Sequence, residues 1–586
     1  MPLHLFLPPL PISVVSLPLL LLLLLPCSSS VPLSSSSAVD PGGRTEYRIS
    51  DPTFTCFTHL VVHSGTGDVY AGAVNRIVKL SADLRLQAGH VTGPVVDNNE
   101  CYPPHIVRPC EHSLDWSNNV NKLLLVDYSG DRLLACGTKW QGVCMFLRLD
   151  NLFKLGELHH RKEHYLSGAR EGMAGVIVSD KDHKDQNHLF IGAAVGGKPK
   201  YFPSLSSRKL VSDTDTPDMM SLVYQDEFIA SQIQIPLDTV AQYPNFDIHY
   251  VYAFSSGSFI YFLALQLDTE LNEGGNGGAE KFYNTKIVRL CSKDNRFHSY
   301  VEFPLGCTKD GVEYRLIQAA FKQRAGKKLA LALGLGENDD VLFVVFAKGQ
   351  QNRSNPPTET VLCLFTLHDI NKAITDKVKS CFRGEGKLSM PWLLGKELPC
   401  INTPLQIEDD FCGYDFNQPL GGNHVIQGHP LYEDRVQGMR AVAGYTYGED
   451  TLVFVGTRTG QLKRFRVDGV SHSQNALLYA TVSVVQGEPI LRDMAFSPDH
   501  RYIYVLSPKQ VTRLPVESCD QYSTCSECLA SGDPHCGWCI LANNCSRRES
   551  CDKFEEPQHF HTRQDQCVDV PSAPKPREDI SLACPI

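Results

Sequence analysis

The sequence predicts an all-β chain: a seven-bladed β-propeller with an inserted helical edge element, followed by a small disulfide-rich module. Three observations carry this. First, a β-rich run, a Gly or polar turn and a second β-rich run recur seven times between Val69 and Leu514, the signature of a repeated β hairpin. Second, ten cysteines are scattered from Cys101 to Cys412, whereas eight crowd between Cys519 and Cys567. Third, of 586 residues 42% are hydrophobic and 20% charged, a globular composition able to build a core of that size. The net charge of -10 argues against a nucleic-acid partner, which requires a surplus of Lys and Arg to replace phosphate counterions.

At the amino terminus, the leucine run Leu19 to Leu25 lies in an apolar stretch from Val14 and is followed by Ser28, Ser29 and Ser30. Residues 1–38 therefore read as a secretory signal and leader. The stretch is too short, and too broken by Pro8, Pro9, Pro11 and Pro18, to supply the roughly 20 apolar residues of a membrane span. No later stretch approaches that length, and Val341 to Ala347 reads as a core strand. The chain is expected to be extracellular, where thiols oxidise.

Residues 39–516 hold the hairpins, in order Val69 to Leu80, Leu133 to Leu149, Leu189 to Phe202, Phe259 to Leu290, Val341 to Leu367, Leu452 to Val467 and Tyr502 to Leu514. The fourth is interrupted by the Gly-rich Asn272 to Gly278. Further apolar runs, such as Lys122 to Tyr128 and Ile490 to Phe496, precede them, so each unit has room for the four strands of a propeller blade. In the longest gap, Ile370, Ile374 and Val378 recur at helical spacing within Asp369 to Lys379, which predicts a helix on a blade edge. Thr53 to Val62 is expected to complete the last blade and hide its open sheet edge.

Residues 517–568 are too few to build much core and rely on staples; residues 569–586, with Pro571, Pro574 and Pro576, read as a linker. Cys525-x-x-Cys528 and Cys536-Gly-Trp-Cys539 have the spacing of zinc ligands or of a redox pair, but the secretory context favours disulfides. Enzyme motifs are sparse. His160-Arg-Lys-Glu-His164 spells an inverted zinc-hydrolase motif, which needs both His on one helical face; bracketing Gly156 and Gly168 favour a polar surface turn. Asp213, Asp215 and Asp218 hint at calcium, but the loop lacks the Gly and closing Glu of such a site. Lys463, Arg464 and Arg466 read as a solvated face. No P-loop, Rossmann fingerprint or nucleophile elbow occurs, so neither cofactor nor metal is expected.

Asn98-Asn-Glu-Cys-Tyr-Pro-Pro104, Asn118-Asn-Val-Asn-Lys122, Lys162-Glu-His-Tyr-Leu-Ser-Gly168, Val312-Glu-Tyr-Arg-Leu316, Leu491-Arg-Asp-Met-Ala-Phe496 and Gly532-Asp-Pro-His-Cys-Gly-Trp-Cys539 together resemble a class A plexin, from about Thr53 to Cys567. The resemblance implies a sema domain followed by a cysteine-rich PSI module. It also implies the pairing, which spacing alone leaves open among 105 connectivities for eight cysteines: Cys101 with Cys110, Cys136 with Cys144, Cys291 with Cys412, Cys307 with Cys363 and Cys381 with Cys400, then Cys519 with Cys536, Cys525 with Cys567, Cys528 with Cys545 and Cys539 with Cys551. Cys27 leaves with the signal, and Cys56 and Cys584 stay unassigned.

The resemblance further implies a cell-surface receptor for semaphorins, binding them sema domain to sema domain in axon guidance and cell migration, with a co-receptor such as a neuropilin. It puts the ligand-facing surface on the blade 3 to blade 4 side, at or near Gly196, Lys198, Tyr224, Lys396 and Ile401, with Gly196 standing where an acidic residue is usual. Asn352-Arg-Ser354 and Asn544-Cys-Ser546 are sequons for N-glycans. The alternatives are a secreted semaphorin-like ligand or decoy that does not signal and, further off, a zinc hydrolase or thiol oxidoreductase. Relatives in the family continue to a membrane span and a cytoplasmic region, so a fragment of a longer receptor and a secreted form are both open.

Overall fold

Six of the seven expected hairpins are antiparallel strand pairs in the computed structural model: Val69–Ala73 on Arg76–Leu80, Arg132–Cys136 on Cys144–Arg148, Phe259–Leu267 on Tyr283–Cys291, Asp340–Lys348 on Thr360–Thr366, Asp450–Thr457 on Gln461–Val467, and Tyr502–Leu506 on Gln510–Pro515. The structure describes residues 43–49, 55–179, 186–272, 281–336, 339–408, 411–470, 476–556 and 558–567. The predicted signal, the tail with Cys584 and most of the Gly-rich Asn272 to Gly278 lie outside these. The middle strands are buried on both faces; every residue of Val69–Ala73 and of Thr360–Thr366 is buried. This is why apolar runs such as those of Val69–Ala73 and Val361–Phe365 stand there instead of a strict alternation.

An inner and an outer strand flank each pair. Hydrogen bonding gives five four-stranded sheets and one of nine strands; the latter arises because Cys307–Lys309 pairs with Val312–Tyr314, joining two repeat units. The pairings alone therefore do not return seven separate blades. The innermost strands, Phe57–Val62, Leu123–Asp127, Met173–Ser179, Ile248–Ser256, Val312–Arg324, Met439–Tyr447 and Met494–Phe496, lie side by side in a closed cycle, the last against the first. Successive inner strands run in the same sense because each unit holds four strands, so the chain enters every unit at one end of the ring. The turns between second and third strands return to that same end.

Three expectations are corrected. Phe57–Val62 does not complete the last sheet; it is the inner strand of the first, paired with Val69–Ala73. The closing strand is Thr45–Arg48, on Gln510–Pro515, four residues too polar and too short for a periodic signal. In the third hairpin, Leu189 to Phe202 supplies only one strand, Gln186–Ala193, and its partner is Leu205–Val211. Gly196 and Gly197, at φ +61° and +78°, stop the run in a turn. Leu205–Val211 escapes a hydropathy reading because it buries Ser206, Ser207 and Arg208, with Arg208 donating to Ser206 Oγ at 2.9 Å and to the Glu163 carbonyl. Lys463 and Arg464 are not a solvated face either: both are buried, Lys463 against Asp434 at 2.7 Å and Arg464 on the Pro515 carbonyl at 2.8 Å.

The predicted helix spans Leu367–Phe382, capped by Thr366, whose hydroxyl accepts from the Asp369 N–H at 3.0 Å, a standard N-cap arrangement. Ile370, Ile374 and Val378 form its buried stripe. The segment after it covers the outer edge strand Val301–Lys309, which pairs in parallel with Leu420–Gly421 and Ile426–Gly428, so an exposed edge is closed.

Nine disulfides join pairs of described residues: Cys101–Cys110, Cys136–Cys144, Cys291–Cys412, Cys307–Cys363, Cys381–Cys400, Cys519–Cys536, Cys525–Cys567, Cys528–Cys545 and Cys539–Cys551. Cys56 is also disulfide-bonded. The small module is a three-stranded sheet and the helix Cys525–Ala530, gathered round Trp538 and the cystines. It docks on the large domain through His535, a buried ring held between Asp533 Oδ1 at 2.7 Å and the Tyr445 hydroxyl at 2.5 Å. Among the described residues no helix is long and apolar enough to cross a membrane.

Candidate ligand-binding surface

The turn between Gln186–Ala193 and Leu205–Val211 carries the first two candidate residues. Asp247 builds it: its carboxylate accepts from the N–H groups of Val195 at 2.9 Å, Gly196 at 2.8 Å and Ile248 at 2.9 Å. Burial pushes this carboxyl up, against the pull of those donors. Gly196 is exposed with φ +61°, a region that side chains other than those of Asn and Asp enter at a cost. Lys198 does not stand free. Its ammonium reaches the Asn99 carbonyl and lies 3.4 Å from Glu100, which ties the turn to the neighbouring Asn98–Cys101 loop. Tyr201 stacks on Tyr102 from that loop with centroids 4.0 Å apart.

Tyr224 lies on the far side of the same sheet edge. Its hydroxyl donates to Asp226 at 2.6 Å, and the Arg296 guanidinium sits 5.1 Å above its ring. The hydrogen bond raises the phenol and lowers the carboxyl. Asp226 also accepts from the N–H groups of Phe228 and Ile229 at 2.8 and 2.6 Å, which turns the chain sharply and leaves Phe228 87% exposed at the tip. Between this loop and the Gly196 turn runs a groove of about 80 Å³, with Lys200 and Tyr201 on one wall, Leu222 and Gln225 on the other and Arg208 lining it.

Lys396 and Ile401 come from the edge insertion. The short helix Pro391–Leu394 plants Trp392 against Phe246, with ring centroids 5.4 Å apart, and donates its indole N–H to Glu302 at 3.1 Å. Gly395 ends the helix at φ +72°, leaving Lys396 exposed before the Cys381–Cys400 clamp. Ile401 is 57% exposed, its N–H and C=O both held by the Asn417 side chain at 2.7 Å. The structure thus brings the Gly196 turn and the edge insertion to one connection, residues 236–247, through Asp247 and Phe246 respectively. Tyr224 joins through its neighbour Gln225, which lines the groove. Sequence reasoning missed Phe228 and Arg296; a lone Phe in the polar run Gln225-Asp-Glu-Phe was the available signal.

The other motifs resolve into structural roles. His160 and His164 share no helical face, because only Lys162–His164 is helical, as one 3₁₀ turn. Burial lowers both rings, His164 to about 4. Asp213 caps a turn by accepting from the Asp215 N–H, and Asp215 ties the loop to a distant segment by accepting from the Glu157 N–H. Cys536 and Cys539 are bonded to different partners, so they do not form a redox pair. The sole metal-like cluster among the described residues, Glu517 with Cys519 and Cys536, consists of a carboxylate and a cystine, whose sulfurs are not thiolates. Asn352 is exposed with φ +57° in a loop, and Asn544 is exposed beside the Cys528–Cys545 bond.

Comparison with known proteins identifies the two parts. Residues 317–497 match the family described as Sema domain, and residues 518–568 that described as Plexin repeat. Plexin A3 of Danio rerio is 65% identical over 529 residues, 89% of this chain and 28% of the relative. A solved structure of the Plexin A4 full extracellular region superposes with a TM-score of 0.85 at 49% identity, over 89% of this chain and 52% of that one. A structure of Drosophila Plexin A in complex with Semaphorin 1b matches with a TM-score of 0.57 at 15% identity, over 88% of this chain and 95% of its own, a likeness of fold alone. The chain spans 28% of the length of its Danio rerio relative. A sema domain followed by a plexin repeat, at this identity along most of the chain, makes it a member of the class A plexin family.

Proposed function

We propose that the chain is the ligand-binding part of a semaphorin receptor, acting outside the cell by protein recognition, with residues 39–516 as the sema domain and 517–568 as the PSI module. The ligand's sema domain would lie over the groove and the loops on either side of it. Phe228 carries this reading. An aromatic side chain 87% exposed at the tip of a loop braced by Asp226, Tyr224 and Arg296 is a preformed anchor, and anchors of this kind dominate interface energies. Lys198 and Lys396 would then frame the contact as rim charges, setting the on-rate more than the affinity. Similarity to class A plexins along most of the chain supports the partner class. Asn352, in an exposed loop, is the better of the two glycan sites, because Asn544 adjoins a cysteine engaged in folding.

The test is binding of the purified chain to a panel of semaphorin ectodomains, with and without a neuropilin ectodomain. Saturable binding to at least one member supports the proposal. Absence of binding to every member, with either arm, refutes it.

A further inference from the structure

The end of the ring at which the chain enters each unit gathers four arginines from segments far apart in sequence. Arg440 is the second residue of the inner strand Met439–Tyr447, and Arg492 precedes the inner strand Met494–Phe496 by two residues. Arg353 and Arg458 lie in turns between second and third strands, which return to this same end. Gln318, on the inner strand Val312–Arg324, joins two of them: its carbonyl accepts from Arg492 Nε at 3.0 Å, and its side-chain oxygen lies 3.5 Å from Arg458 Nη2. Arg458 also donates to the Pro356 carbonyl at 2.8 Å. A Cβ at Gly438, where φ is +65°, would come within 3.1 Å of Arg458 Cδ, so the glycine keeps that guanidinium's place.

These cations are poorly neutralised. Arg353 has Glu171 at 3.9 Å, but among the described residues no carboxylate forms an ion pair with Arg440, Arg458 or Arg492. Asp493, which acts electrostatically on Arg492, is engaged with the Leu60 N–H at 3.0 Å. Arg440 repels both Arg458 and Arg492. Solvent reaches Arg492, although surrounding protein strips enough of its hydration to lower its pKa. Four guanidiniums against two carboxylates, in a protein of net charge -10, form a local positive well whose low-dielectric walls focus the field.

We propose that Arg353, Arg440, Arg458 and Arg492 form a binding site for a tetrahedral oxyanion, a sulfate or phosphate group, at the end of the ring of inner strands where the chain enters each unit. Planar forked donors suit such an anion better than ammonium groups would. An oxyanion there would relieve the mutual repulsion without disturbing the bonds to Gln318 and Pro356. The group is either a free ion or an ester on a saccharide. This site uses none of the residues assigned to semaphorin contact.

The experiment is calorimetric titration of the purified chain with inorganic sulfate and, in a second arm, with a sulfated heparin disaccharide. One saturable sulfate site is expected, weakened about tenfold or more by Arg440→Gln and by Arg492→Gln, as loss of a charge-assisted contact implies. Arg435→Gln, on an exposed residue paired with Glu433, leaves it unchanged. A disaccharide that binds tighter than sulfate, with the same loss in the variants, identifies an ester as the natural group; equal binding identifies the free ion. If Arg440→Gln is not secreted, Arg458→Gln is read in its place. No saturable sulfate binding, or binding that these arginine variants leave intact, overturns the proposal.

Discussion

Lys122 offers the sharpest test of how the ring is held together. It immediately precedes the inner strand Leu123–Asp127 and is fully enclosed, its ammonium donating to the Ser167 carbonyl at 3.0 Å. Loss of hydration lowers its pKa from 10.5 to about 7, with only Asp247 acting in the other direction. Because the unfolded chain keeps the ordinary value, it binds more protons than the folded chain between these limits. Stability therefore rises with pH across that window. The cost of burying the charge is fully present below pH 7 and vanishes above about 10.5. At 1.36 kcal/mol per unit, and with the folded site about half protonated at pH 7, this one group accounts for about 2 kcal/mol of stability gained from pH 7 to 9. Lys122→Met keeps the stem and removes the proton, so urea denaturation of the oxidised variant at pH 7, 8 and 9 is expected to show that gain missing relative to the parent. Parallel curves for the two proteins would refute the reasoning.

Three further outcomes follow from the packing. Removing the Cys307–Cys363 bond, which closes a loop with a sequence separation of 56, by substituting both with Ser is expected to cost about 4 kcal/mol by chain entropy, read as a lower urea midpoint. Tyr445→Phe deprives the buried His535 ring of one partner, a loss of about 1–3 kcal/mol at a desolvated site; faster proteolytic cleavage at residues 516–518 measures the loosened module. Tyr47→Asp places a charge in the closing strand against Phe57 and is expected to speed amide exchange in Gln510–Pro515 more than in Asp450–Thr457.

The legible parts of the fold were those whose signal is local. Val69 to Leu80 shows a hairpin in any window, because both strands are largely apolar and the turn is short; Leu452 to Val467 shows one through its apolar first strand and the short turn after it. Thr45–Arg48 shows nothing, since its place depends on a partner more than four hundred residues away. Leu205–Val211 was hidden for a different reason: a strand that buries Ser206, Ser207 and Arg208 looks polar until its hydrogen bonds are known. Lys463 and Arg464 misled in the same way. Disulfide pairing came with the family resemblance, as spacing could not order eight cysteines. At the candidate surface, motif matching reached Gly196, Lys198 and Tyr224 but not Phe228 or Arg296, because exposure and cation-to-ring contact are properties of the folded loop.

Two phenylalanines provide the most direct test of ligand recognition. Phe228 is 87% and Phe153 69% exposed, but only Phe228 stands on the loop from which Gln225 lines the groove, Phe153 lying beside the strand Lys154–Leu155 in another sheet. Equilibrium binding of a semaphorin sema domain is expected to weaken about thirtyfold with Phe228→Glu, the order of an interface anchor, and to stay unchanged with Phe153→Glu. Equal affinity for the parent and the Phe228→Glu chain, both folded, would contradict the account.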